Sequence, residues 1–322
     1  MTAATPTIAD IERAAHRIAD AVWHTPLLYS SWLSRAIDAH VWLKIEAVQP
    51  TGSYKVRGAL NALTVLVEQQ PNVRSIVTAS AGNHGLAVAW AAKRLGLDAR
   101  VFVPATAPDV KKSAIANLGA TVIESPSYEA AEERGQREAV ERGTLYVSPY
   151  SHPDVIAGAG TVALEMFADE PALDAVVVPL GGGGLLSGTA IVARRGGRDV
   201  VVVGAEAEAS PVFTSALAAG EVVTVNVEPT LADGLAGNME RDSRTFGIVR
   251  DLVDHVALVA ESSIALAMRE LMRRERLIVE GSGAAGVGAL LQRGLPISGR
   301  HVGVILTGRN VDPEVIASVS TR

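Results

Sequence analysis

The sequence predicts an α/β fold with mostly parallel sheets and helices on both faces, and three observations carry that expectation. Short runs rich in Val and Ile alternate with helical patterns along most of the 322 residues. Hydrophobic residues make up 48% and aromatic ones only 4%, the Ala, Val, Leu and Ile content of helices packed on parallel strands. The length suits two compact domains or one large one.

Taken in order, the expected strands are Val41–Glu46, Ser75–Thr78, Arg100–Val103, Thr121–Glu124, Leu145–Ser148, Ala175–Pro179, Val200–Ala205, His255–Val259 and His301–Leu306. Each is short and apolar, as strands buried on both faces are. Helical periodicity covers Ile8–Val22, Lys55–Leu66, Asn83–Leu95, Val110–Leu118, Tyr128–Arg142, Val155–Phe167, Leu185–Arg194 and Ser262–Arg274. Asp109 and Asp154 are expected N-caps, and Gly96 and Gly119 expected helix ends. The stretch Glu221–Arg244 holds Pro229, Gly234, Gly237 and Asn238 with little periodicity. It reads as a long loop, a class that is often functional in compact domains. No internal repeat appears, and composition marks no domain boundary.

Composition narrows the function. The net charge is -6, with no cluster of Lys and Arg. Neither nucleic acid nor an anionic membrane surface is then an expected partner, which leaves a small-molecule substrate. The chain has no cysteine, excluding disulfides, thiolate zinc sites, iron–sulfur clusters and a cysteine nucleophile. Met1–Ile18 is polar, with Asp10, Glu12 and Arg13, and lacks the apolar core of a signal peptide. No stretch of about 18 uncharged apolar residues appears, so no membrane span and a cytoplasmic location are expected.

Four segments carry candidate chemistry. In Pro50-Thr51-Gly52-Ser53-Tyr54-Lys55, a turn follows a strand and the lysine opens a helix. The positive end of the helix dipole and partial burial both disfavour the ammonium, and a neutral amine is what a Schiff-base lysine needs. An exposed lysine in a first helical turn is the plainer alternative. In Thr78-Ala79-Ser80-Ala81-Gly82-Asn83-His84-Gly85, a strand passes into a helix, so backbone N–H groups converge on a site for carboxylate or phosphate. Ser80, Asn83 and His84 add donors there; ordinary capping by Ser80 or Asn83 is the alternative. Gly181-Gly182-Gly183-Gly184-Leu185 follows a strand directly, and such a run can wrap N–H groups round a phosphate. A turn alone is a poor reason for so much backbone entropy. Thr307-Gly308-Arg309-Asn310 ends the last strand, where side chains of parallel sheets face the ligand crevice. Thr307 could offer a hydroxyl to a ring nitrogen, or the pair could be a simple Thr-Gly turn.

A dinucleotide fingerprint is the competing interpretation. The tetraglycine run lacks the required third glycine, having Leu186 and Ser187 there, although Glu206 ends the next strand where a ribose-binding acid would sit. A strict match at Gly281, Gly283 and Gly286 has no acid closing its next strand.

Together the four segments resemble the fold-type II (tryptophan synthase β-like) pyridoxal-phosphate enzymes, in their threonine/serine dehydratase and serine racemase branch. The resemblance covers nearly the whole chain, including Ala107–Lys112, Val155–Gly158 and Ala232-Asp233-Gly234. It implies two open, mostly parallel sheets: a large cofactor-binding domain of residues 1–74 and 151–322, and a small mobile domain of residues 75–150. It implies pyridoxal 5'-phosphate held covalently by Lys55, with Tyr54 where the family usually has a phenylalanine packed on the ring. Asn83 is similar to the asparagine that bonds the ring oxygen. Ser80, Asn83 and His84 resemble the substrate-carboxylate cradle, and Gly181, Gly182, Gly183, Gly184 and Leu185 the phosphate cup. Thr307 matches the hydroxyl residue facing the pyridine nitrogen.

The implied reaction is β-elimination of a small L-β-hydroxy amino acid to a 2-oxo acid and ammonia. L-Threonine or L-serine is the default substrate, with 3-hydroxyaspartate or the hydroxyectoine-derived diamino acid as alternatives. Departures from the pattern refine this. Ala81 stands where serine racemases carry the serine that protonates the opposite face of Cα, so elimination should outrun racemisation. Val212 stands where the family often has an aspartate metal ligand, so only Glu206 matches and no metal site is expected. Arg309 replaces a usual glycine, and with Leu235–Glu240 it hints at a non-standard substrate. A homodimer is compatible with the resemblance. The sequence runs only a short way past its last strand, so no isoleucine-binding regulatory domain is expected. A nicotinamide oxidoreductase or a non-catalytic ligand-binding protein remain the alternatives from other classes.

Overall fold

The computed structural model describes residues 5–195 and 199–320, Arg195 by its backbone alone. The chain begins α1 (Ile8–Ile18), β1 (Leu27–Tyr29), α2 (Ser31–Ile37), β2 (His40–Ile45), α3 (Lys55–Gln69), β3 (Ser75–Ala79), α4 (Asn83–Leu95) and β4 (Asp98–Pro104). It continues α5 (Asp109–Asn117), β5 (Thr121–Ser125), α6 (Tyr128–Arg142), α7 (Pro153–Asp169), β6 (Ala175–Leu180), α8 (Gly184–Arg195), β7 (Val201–Ala207) and α9 (Val212–Ala219). Then come α10 (Arg244–Leu252), β8 (His255–Val259), α11 (Glu261–Glu270), α12 (Gly281–Gln292), β9 (His301–Leu306) and α13 (Pro313–Ser320).

The strands form two sheets, ordered β1-β2-β9-β6-β7-β8 and β3-β4-β5. All pairings are parallel except β1 with β2 at the edge. The smaller sheet and its helices interrupt the larger one in sequence. The large sheet is buried on both faces, and its alternation says why its strands are uniformly apolar. Val176, Val178 and Leu180 pack under α1, α7, α8, α9 and α10. Ala175 and Val177, with Val203, Val304 and Leu306, pack under α2, α11, α12 and α13.

Several expectations need correcting. Leu145–Ser148 is no strand; it touches the small sheet through one bridge, Tyr146 to Val77. Asp109 is the first residue of α5 behind Pro108. The cap of α7 is His152, whose Nδ1 accepts from the Asp154 N–H at 3.2 Å. The helix expected to reach Val22 stops at Ile18, and the one expected to reach Arg274 becomes a π-helical turn over Leu271–Glu275. Gly96 does end α4 in the left-handed region, and Gly119, at φ +93°, follows the last turn of α5. The Gly281 match is not a nucleotide loop. It opens α12, a helix buried along almost its whole length, where any side chain at Gly281 would strike the Leu231 carbonyl.

Candidate active site

Three neighbouring strands bring the sequence segments together. β9 lies between β2 and β6, so the chain leaving the carboxyl ends of all three meets in one crevice. After β2 come Thr51–Lys55, after β9 Thr307–Asn310, and after β6 Gly181–Leu185. The first two are stitched together: Tyr54 N donates to Thr307 O at 3.0 Å, and Arg309 N to Gly52 O at 2.9 Å. The small sheet adds the loop after β3. Asn83, first residue of α4, accepts from Asn310 Nδ2 at Oδ1 (2.6 Å) and donates from Nδ2 to Glu280 Oε1 (2.7 Å).

Lys55 is the first residue of α3 and half-buried. Its Nζ donates to Pro149 O at 2.9 Å and lies 5.3 Å from the Tyr54 ring centroid. The N–H groups of Gly182–Leu185 have no protein acceptor among the described residues, as befits the opening turn of α8. Gly183 has φ +83°, and a Cβ there would sit 2.7 Å from the Phe213 ring. Thr307 is 4% exposed, and its hydroxyl has no protein partner among the described residues. Unspent N–H groups at a helix start, a reachable amine and a free hydroxyl form a donor set that fits a phosphorylated aldehyde cofactor. Gly183→Ala would combine a left-handed non-glycine residue with a clash. Its expected result is cofactor affinity weakened by about tenfold or more in an absorbance titration, from a strain of about 1–2 kcal/mol plus displaced donors. Unchanged affinity would separate the loop from the phosphate.

Other expected residues sit differently. His84 is 2% exposed, and its Nε2 bonds Val147 O at 3.0 Å. Its N–H is therefore spent, and it adds no donor to the cradle in this arrangement. Burial, with Lys55 nearby, pushes it down to about 3, so it is neutral at physiological pH. Ser80 Oγ accepts from Gly82 N at 3.2 Å, an ordinary turn contact. The Arg309 side chain is exposed. Glu206 caps α9, accepting from Phe213 N (2.6 Å), Thr214 N (2.9 Å) and Thr214 Oγ1 (2.7 Å). A carboxylate so engaged is not the free acid that the nicotinamide alternative requires. Among the described residues, no group of three or more His, Asp or Glu could hold a metal ion.

Two features went unforeseen. Glu280 is 5% exposed; burial and Asp233 push it up to about 8 despite donation by Asn83 and the Asn310 N–H. The second is Tyr150, whose ring lies on Gly182 and whose Oη accepts from the Glu240 N–H at 2.8 Å; no motif or periodicity in the sequence marks it.

Crevice, lysine and N–H loop together define a pyridoxal-phosphate-dependent enzyme. The chain belongs to the pyridoxal-phosphate dependent enzyme family, which its residues 18–308 match. It is 39% identical to the L-threonine ammonia-lyase of Thermotoga maritima over 96% of this chain and 77% of that protein. It is 37% identical to the L-threo-3-hydroxyaspartate ammonia-lyase of Saccharomyces cerevisiae, covering 98% of this chain and 96% of that one. The structure of maize serine racemase superposes with a TM-score of 0.91 at 33% identity, covering 98% of this chain and 97% of that one. Among the described residues, no helix is long and apolar enough to cross a membrane.

Proposed function

We propose that this chain eliminates water from an L-β-hydroxy amino acid, giving a 2-oxo acid and ammonia, with Lys55 as the cofactor lysine and the base. One observation carries the assignment: Lys55 opens a helix on the strand two places from the one whose exit presents unpaired N–H groups at Gly182–Leu185. Ammonia-lyase activity in relatives at 37–39% identity supports it.

Bound here, the cofactor supplies an electron sink for the negative charge left at Cα. Lys55 Nζ takes the Cα proton, and the resulting ammonium keeps an acceptor in Pro149 O, 2.9 Å away. The N–H groups of Gly182–Leu185 hold the phosphate, and Ser80 and Asn83 orient the substrate carboxylate. The Thr307 hydroxyl would be the group offered to the ring nitrogen, and, being neutral, it would hold no proton there as a carboxylate could; that would favour loss of the β-hydroxyl over transamination. The released enamine tautomerises, and water converts it to the 2-oxo acid and ammonia. Ala81 presents no acid on the other face of Cα, so L-serine should yield pyruvate with D-serine only a minor product.

The test joins two measurements. Borohydride should fix the cofactor onto the peptide containing Lys55, and a screen of hydroxy amino acids should release 2-oxo acid. Fixation elsewhere, no oxo acid, or D-serine in yields comparable to pyruvate would each contradict a named part. A cytoplasmic homodimer completes the proposal, for sedimentation and fractionation to check.

A further inference from the structure

The side-chain amide of Asn83 is gripped from both ends. Asn83 opens α4, in the part of the chain built on the three-stranded sheet. Its partners, Glu280 and Asn310, belong to the part built on the six-stranded sheet. Which way an amide faces is set by its neighbours, because its oxygen only accepts and its nitrogen only donates. Here a backbone carbonyl sets it. Asn310 Nδ2 donates to Thr51 O at 2.8 Å, and a carbonyl can only accept. With its nitrogen fixed on that side, Asn310 gives its other hydrogen to Asn83 Oδ1 at 2.6 Å. Asn83 Nδ2 is thereby turned to Glu280 Oε1, at 2.7 Å. Nδ2 keeps a second hydrogen, with no acceptor among the described residues.

Glu280 is placed to be that acceptor. It precedes α12, and its backbone N–H donates to Gly308 O at 3.0 Å, pinning it to the turn after β9. Its side chain is 5% exposed, so the carboxyl depends on protein partners. A Cβ at Gly308 would strike Glu280 Oε1 and lie 3.2 Å from Asn83 Nδ2. A Cβ at Gly52, where φ is +73°, would lie 2.6 Å from Asn310 Oδ1. Both glycines therefore leave room for this chain of side chains.

We propose that Glu280 is a positioning residue: it holds the Asn83 amide so that Asn83 meets the cofactor's ring oxygen as a donor, while Asn310 blocks the flipped form. This rests on Asn83 as the donor to that oxygen, and adds what orients it. Burial and Asp233 push Glu280 up to about 8, so at neutral pH it accepts largely uncharged. It then sets no full negative charge near the ring oxygen.

The experiment reads the absorbance of bound cofactor. A donor to the ring oxygen favours its anionic form, which absorbs at longer wavelength. Asn83→Ala should therefore move the bound cofactor toward the shorter-wavelength form. Glu280→Leu should reproduce that shift and weaken cofactor affinity by about tenfold. Glu280→Gln keeps an acceptor and should restore the longer-wavelength band. Asn310→Asp presents acceptors to Asn83 Oδ1, so it should turn the amide over and give the Glu280→Leu spectrum. That variant carries the test if circular dichroism shows Glu280→Leu misfolded. Adding Glu280→Leu to Asn83→Ala should change nothing further, because Glu280 acts through the amide. A wild-type spectrum in Glu280→Leu or in Asn310→Asp overturns the inference and leaves the cofactor site standing. So does a further shift in the double variant, or a Glu280→Gln spectrum matching Glu280→Leu. An unchanged spectrum in Asn83→Ala takes Asn83 off the ring oxygen, and the underlying reading fails instead.

Discussion

Lys55→Ala is expected to abolish turnover of every β-hydroxy amino acid, by about a thousandfold or more, because one side chain serves as both covalent anchor and base. Borohydride should then leave no cofactor on the chain. The fold should survive, since Lys55 is a half-buried first-turn residue whose side chain, among the described residues, hydrogen-bonds Pro149 O alone. Circular dichroism should therefore match the wild type. Phosphate-group binding at Gly182–Leu185 should persist, weakened by loss of the covalent link, so cofactor should bind reversibly. Added small amines should restore part of the rate if the missing element is a base near Cα. A variant with normal turnover would remove Lys55 from the mechanism. A variant unable to bind cofactor at all would shift the anchoring energy from the N–H loop to the lysine.

The site was legible where strand ends pass into helices. Lys55, Asn83, Gly181–Leu185 and Thr307 all sit at such junctions, and parallel α/β topology places those junctions along one edge. The sequence does not state which strands are neighbours, so the meeting of β2, β9 and β6 required the structure. Missed elements have physical reasons. Within α12, Gly281–Gln292, small residues buried on all sides leave no apolar stripe for periodicity to detect. Leu145–Ser148 has strand composition, yet it makes a single bridge at Tyr146 and then turns toward the crevice at Ser148 and Pro149. His84 looked like a donor by type, but its geometry spends the N–H on Val147 O.

Arg57→Met should cost about 3–5 kcal/mol of stability, because it strands a buried carboxylate. Arg57, two residues after Lys55, is 1% exposed. It grips Glu46 through Nε and Nη2, both at 2.8 Å, and Glu165 through Nη1 and Nη2 at 2.7 and 2.9 Å. Nη1 also donates to Thr161 Oγ1, and Nη2 shares its two hydrogens with Trp23 O as well, each at 3.1 Å, so six acceptors share five hydrogens. This one guanidinium thus ties the end of β2 to α3 and α7, setting the angle at which α3 presents Lys55. Burial alone would lower its basicity; Glu46 and Glu165 more than offset that. Burial would likewise raise Glu165, but Arg57 and Lys44 hold it below the ordinary carboxylate range. Glu165 therefore contributes fully above that range, and its contribution fades as pH falls through the lower folded value. Lys44, 2.7 Å from Glu165, keeps that carboxylate paired in the variant, whereas Glu46, fully buried, keeps only neutral donors. The double variant Arg57→Met, Glu46→Leu should consequently recover part of the loss, since removing both members of a buried pair costs less than removing one. Urea midpoints decide it: a double variant no more stable than Arg57→Met would mean that packing around α3, rather than an abandoned charge, sets the cost.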